Sequence, residues 1–271
     1  MINFAKKAAF AAIVTVYAFP GFAADLPEPP PVIEQPQVQV VDYGGWYIRG
    51  DVDFHKPQWG GADYIVYGPP PGTKSFDSGD LKGALSLGAG VGYQVTNYFR
   101  TDLTFDYWFK SRFEGHTSCT DCSSTDTSNM SAMLLLANAY VDLGHWKGFT
   151  PYIGAGIGGA YVKWDDLNNT IEEGTFTHTG AGNWRFAWGL MAGTSYCLSK
   201  NLNLDVGYRF THINGGRMFE FAPTAGPGFD RGFNTHEVRA GLRYSFGETS
   251  NSCSEPVPVA YEPEPEPVYT K

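Results

Sequence analysis

The sequence predicts an all-β fold, an eight-stranded antiparallel up-and-down transmembrane β-barrel with four long extracellular loops and three short periplasmic turns. Three observations lead there. Eight runs alternate large apolar side chains with polar or small ones, the period of a strand with two unlike faces. The seven connections between them alternate long and short, the rhythm of a membrane barrel. Past the N-terminal run, no stretch approaches the ~18 continuous apolar residues that a spanning helix needs, so any crossing is made by strands.

The N-terminus reads as a secretory signal peptide over residues 1–23. Lys6 and Lys7 precede an apolar run, Ala8 to Phe19, too short to span a bilayer comfortably, and Gly21 and Ala23 fit a cleavage site. Residues 24–44 form a Pro-rich periplasmic leader, with five prolines among glutamines and acids in 24–42. The barrel is expected over 45–247. An acidic, Pro-rich disordered tail follows over 248–271.

Within the barrel, Trp46, Ile48, Val52 and Phe54 oppose Tyr47, Arg49, Asp51, Asp53 and His55. The second run sets Leu85, Leu87, Val91 and Tyr93 against serine and glycines. In the third, Phe99, Leu103, Phe105, Tyr107 and Phe109 oppose Arg100, Asp102, Asp106, Lys110 and Arg112. The fourth, about Ser131 to Leu143, is less clean, because Leu134 and Leu136 share a face with Asn138, Tyr140 and Asp142. The fifth sets Ile153 and Ile157 against Gly154, Gly156 and Gly158. Trp184, Phe186 and Leu190 then oppose Arg185, and Leu204, Val206, Tyr208 and Phe210 oppose Asp205 and Arg209. The last run, Thr235 to Phe246, opposes Val238, Leu242, Tyr244 and Phe246 to Glu237, Arg239 and Arg243. The four long connections (57–82, 114–129, 165–183 and 215–234) are expected to be loops.

Alternation alone does not say which face points inward, since a soluble ligand-binding barrel would put its apolar face inside. The polar face decides. Arg49, Arg100, Lys110, Arg112, Arg185, Arg209, Arg239 and Arg243 nearly cancel Asp51, Asp53, Asp102, Asp106, Asp142, Asp205 and Glu237. Glycines fill much of the rest. That composition suits a narrow lumen where long charged side chains pair, because unpaired charge there would be costly. Aromatics at the run ends suit the two membrane interfaces. Outer-membrane lipid is the expected surrounding, and the outer membrane the expected location after export. With eight strands the interior is filled by side chains, so a wide pore is not expected.

Net charge is −9, and the two flanks carry most of the acidity. No Lys/Arg block exists, which excludes a nucleic-acid footprint. Cys119 and Cys122, in an exported chain, are a candidate disulfide. Cys197 falls in a strand and Cys253 in the tail. The lone C-x-x-C of Cys119 and Cys122 is weak evidence for zinc or redox chemistry, and no cofactor is required.

The chain resembles the small outer-membrane barrels of OmpA-like and OmpX-like type, most of all the opacity-protein-like surface antigens of the porin family. The resemblance rests on "ANAYVDLG" (Ala137–Gly144), "TPYIGAGIGGAYV" (Thr150–Val162), "NLDVGYRF" (Asn203–Phe210) and "VRAGLRYSF" (Val238–Phe246). It implies a fold more firmly than an activity. Its terminal Tyr244 and Phe246 resemble the signal read by the barrel-insertion machinery. Members are implied to be envelope structural proteins, adhesins, antigens or hemin binders.

The expected role is therefore a non-enzymatic surface protein in which the barrel anchors loops for adhesion and contributes to envelope integrity. Trp59, Tyr64, Tyr67, Phe219, Phe221 and Phe229 make the first and fourth loops aromatic, either as a surface for host surface or matrix proteins or as packing between loops. With His116 and His178 they form the candidate binding surface. Hemin is the alternative ligand through those histidines or Tyr64 and Tyr67. A lipid-modifying enzyme is the weaker alternative, since Ser195 and His212 show no nucleophile–base–orienter pattern. A narrow channel is equally weak, because opposed charges should plug it.

Overall fold

The computed structural model describes residues 44–119, 122–223 and 225–246; the signal peptide, all but the last residue of the leader, and the acidic tail lie outside the described residues. Thirteen strands are formed: β1 (Gly45–Trp59), β2 (Ala62–Val66), β3 (Gly72–Ser75), β4 (Ser78–Leu81), β5 (Ala84–Gln94), β6 (Phe99–Cys119), β7 (Cys122–Asp142), β8 (Phe149–Trp164), β9 (Leu167–Ile171), β10 (Gly174–His178), β11 (Gly182–Ser199), β12 (Leu202–Phe219) and β13 (Ala225–Ser245). Eight of them make the barrel. The antiparallel pairings run β1–β5–β6–β7–β8–β11–β12–β13 and return from β13 to β1. Each barrel strand therefore has two partners and no edge is left open, as lipid demands.

The outward positions are Trp46, Ile48, Val52 and Phe54 on β1, Leu103, Phe105 and Phe109 on β6, and Val238, Leu242 and Tyr244 on β13, all exposed. The residues of the other phase, Tyr47, Arg49, Asp51 and Asp53 on β1, Thr104 and Asp106 on β6, and Arg239 and Arg243 on β13, point inward and are buried. A continuous apolar belt thus faces outward around a polar interior, the arrangement that suits acyl chains and not water.

At the inner end the connections are tight. In the β5–β6 turn, Thr96 Oγ1 accepts from the backbone N–H of Phe99 (3.0 Å) and Tyr98 (3.2 Å). The β7–β8 turn places Gly144, Lys147 and Gly148 at positive φ.

The outer end differs from the expected loops. β6 and β7 stay paired as far as Cys119↔Cys122, and β12 and β13 as far as Phe219↔Gly228. A strand of 21 residues is about 70 Å long at about 3.3 Å per residue. Tilted by about 40°, it rises about 50 Å, against an apolar belt of about 25 Å. Half of each long strand stands clear of the membrane. Of the segment 114–129, read as a polar loop, residues 114–119 and 122–129 are strand, because their serines and threonines keep the alternation going. The first and third connections also fold back as short hairpins, β2–β3 and β9–β10, which join the sheet through β13 and β7.

A second departure is a register shift in β6 between Trp108 and Ser111. One extra residue reverses the facing of everything beyond it. Lys110 and Arg112, expected in the lumen, are exposed outside, with Lys110 Nζ 2.7 Å from Asp165. Ser111 and Phe113 take the inward positions instead. The interior beyond the bulge is mostly apolar: Leu81, Phe113, Met130, Leu134, Leu136, Val162, Trp164, Ile213 and Phe233 form a buried cluster.

Candidate functional site: the ionic lumen and the outer end

The lower lumen is a stack of arginine–carboxylate contacts. Arg49 donates through Nε and Nη2 to Asp51 (2.9 and 2.7 Å) and through Nη1 to Asp102 (3.2 Å). Arg209 joins Asp106 (2.8 Å) to Glu237 (2.6 Å), and Arg239 reaches Asp51, Asp53 and Asp106 at 3.1–3.4 Å. Arg243 pairs with Asp205 (3.1 Å), whose other oxygen accepts from Ser195. Arg100 donates to Asp142 (3.1 Å), and its guanidinium lies over the rings of both Tyr140 and Tyr152, 4.5 and 4.6 Å from their centroids.

Alternation brings these groups together because every second residue of each strand points into one narrow cylinder. Glycine makes the room. A Cβ on Gly193 would stand 2.6 Å from the Tyr152 hydroxyl, and one on Gly207 2.7 Å from the same atom. Arg185, from the same expected set, lies higher. It donates to Asp230 (2.7 Å), which also accepts from Trp164 Nε1 (3.1 Å).

The candidate loop residues divide in two. Phe219 and His178 are buried, their rings 4.9 Å apart, with His178 Nδ1 against the Glu220 carbonyl (3.4 Å). Trp59 and Tyr64 pack on Phe76, and Trp59 also on Phe113. These four hold the hairpins together. Tyr67, Phe221, Phe229 and His116 remain exposed. Tyr67 and Phe221, both 56% exposed, meet edge to face at 5.3 Å from two different hairpins. Arg217 lies over the Phe229 ring at 5.4 Å.

Ser195 and His212 do not meet. Ser195 points into the lumen, while His212 sits opposite Trp188, seven positions along β11, or about 23 Å at about 3.3 Å per residue. Tyr244 and Phe246 stack edge to face at 5.3 Å on the outer wall. Cys122 stands opposite Cys119 in register. Cys122 and Cys197, at opposite ends of the barrel, are each disulfide-bonded.

The reading of the sequence missed a cavity between the hairpins, and with it Asp126, Asn169 and Phe76. A signal was present. Ser124, Asp126, Ser128 and Met130 continue the inward phase of Leu134 and Leu136, so the alternation already ran through the presumed loop.

Residues 32–246 match the family model described as outer membrane protein beta-barrel domain. An uncharacterised protein of Brucella abortus is 40% identical over 83% of this chain and 92% of its own length. A putative adhesin of Rickettsia conorii is 28% identical over 73% of this chain and 81% of its own. The crystal structure of Neisserial surface protein A covers 74% of this chain and 97% of its own at 17% identity, with a TM-score of 0.41. With its closed ring, lipid-facing belt and family match, the chain belongs to the outer-membrane β-barrel proteins and resides in the outer membrane.

Proposed function

We propose that this protein is a non-enzymatic surface adhesin, with the barrel as anchor and the raised outer hairpins as the contact surface for a host surface or matrix protein. The carrying observation is the exposed aromatic pair Tyr67–Phe221, with Phe229 and Arg217 beside it, well above the lipid-facing belt. Exposed aromatics with arginine are the composition of interaction hot spots. The pairing of β12 with β13 as far as Phe219↔Gly228, and of β13 with β2, supports the segments that carry them. The likeness to a putative adhesin supports the same reading.

The test is a triple variant, Tyr67→Ser, Phe221→Ser and Phe229→Ser, displayed on cells. Binding to immobilised matrix proteins should fall to background while heat-modifiable migration of the barrel stays intact. Undiminished binding by the folded variant would overturn the assignment.

A further inference from the structure

Above the apolar cluster, the outer hairpins surround a cavity of about 340 Å³. Tyr64, Phe76, Phe176 and Phe219 give it aromatic walls, and Leu167 and Ile171 add aliphatic surface. One wall carries Asp126, whose side chain is almost wholly removed from water (1%).

Nine carboxylate residues are buried among the described residues. Eight of them hold an arginine: Asp51, Asp53, Asp102, Asp106, Asp142, Asp205, Asp230 and Glu237. Asp126 instead accepts only from neutral groups, Asn169 Nδ2 at 2.6 Å and Ser124 Oγ at 3.0 Å. Each of its oxygens keeps a second lone pair. Burial pushes this carboxyl above its usual range. His116, His178 and Tyr64 are its titratable neighbours, and both histidines turn a ring nitrogen to a backbone carbonyl. Lys74 lines the rim but is exposed, where water screens it.

A buried carboxylate without a cation is costly to ionise, and a cation beside it offsets that cost. We propose that a ligand supplies the cation: the cavity binds a small organic ammonium compound, its charged nitrogen at Asp126 and its apolar part among Tyr64, Phe76, Phe176 and Phe219. Aromatic faces beside an anion are the surroundings that favour such a cation, and a mostly apolar hollow with few polar groups is the usual form of a small-molecule site. Tyr67, Phe221 and Phe229 do not line the cavity, so this site stands or falls apart from the adhesive surface.

The experiment uses the intact protein in lipid nanodiscs, titrated calorimetrically with phenethylammonium and with 2-phenylethanol, its uncharged analogue. The ammonium should bind about tenfold more tightly than the alcohol. Asp126→Asn should remove that preference. Phe176→Ala, which truncates a half-exposed ring, should weaken both probes. Equal affinity for the two probes, absence of binding, a preference that survives Asp126→Asn, or indifference to Phe176→Ala would each overturn the proposal. Heat-modifiable migration establishes that each variant is folded. If Asp126→Asn does not fold, the two-probe comparison and Phe176→Ala decide.

Discussion

Arg209 and Glu237 face each other from adjacent barrel strands in a two-pronged ion pair, with Arg209 Nε donating to Oε1 at 3.0 Å and Nη2 to Oε2 at 2.6 Å, both side chains closed to solvent. Such pairs are worth less than their geometry suggests, because desolvation offsets much of the attraction. Removing one partner is another matter. Glu237→Ala should destabilise the barrel by about 3–5 kcal/mol, since a guanidinium is left buried with less compensation and Thr211 loses its acceptor. Urea unfolding in detergent micelles measures this.

The bulge in β6 makes a prediction about facing. With cysteine placed singly at 110, 111 or 112, Lys110→Cys and Arg112→Cys should react with a membrane-impermeant maleimide on intact cells. Ser111→Cys should not, because position 111 points into the barrel. The opposite pattern would show an unbroken alternation.

The native thiols should be silent in that assay. Cys122 and Cys197 are disulfide-bonded, so maleimide should modify neither before reduction and both after reduction and unfolding. Mass spectrometry of the labelled peptides reads the result.

Acid should loosen the first outer hairpin. Bonds from Arg231 (2.6 and 2.8 Å) and Ser75 (2.6 Å) hold the Asp63 carboxyl below its usual value of 3.8. A depressed carboxyl contributes stability that is present above the unfolded pKa and lost as pH falls through the folded one. Protection factors at Asp63 and Tyr64, taken against the intrinsic exchange rate at each pH, should therefore hold at neutral pH and fall below about pH 4. The effect will be small, because the pair is largely exposed.

Gly193 should resist substitution. A methyl group there would press on the Tyr152 hydroxyl and the Val206 carbonyl, 2.6 and 2.5 Å away. Gly193→Ala is expected to cost about 1–3 kcal/mol, the usual range for overpacking. A small outward-facing change such as Ala192→Ser provides the control, and comparative urea midpoints check it.

The barrel itself was legible in the chain because two-residue alternation is a local signal. Ile48 and Val52 against Arg49 and Asp51 assign two faces with no knowledge of neighbours, and the near balance of charge on one face tells which side is enclosed. The outer end was not legible in the same way. Thr125 and Thr127 look like loop residues until a partner strand satisfies their backbone, and Phe219 looks like exposed surface until Phe76 and His178 cover it. Lys110 and Arg112 kept the right spacing from Asp106 in sequence and still lie outside, because a bulge is a property of how two strands pair.

The sequence by itself determined the number of barrel strands, their order and which side chains of the barrel wall meet lipid, since those depend on the period of the chain and on the cost of charge in an apolar medium. Only the tertiary structure decided how far the strands rise, which loop aromatics are covered, and that Asp126 is buried without an arginine. Each of those depends on contacts between segments distant in sequence, which no local pattern records.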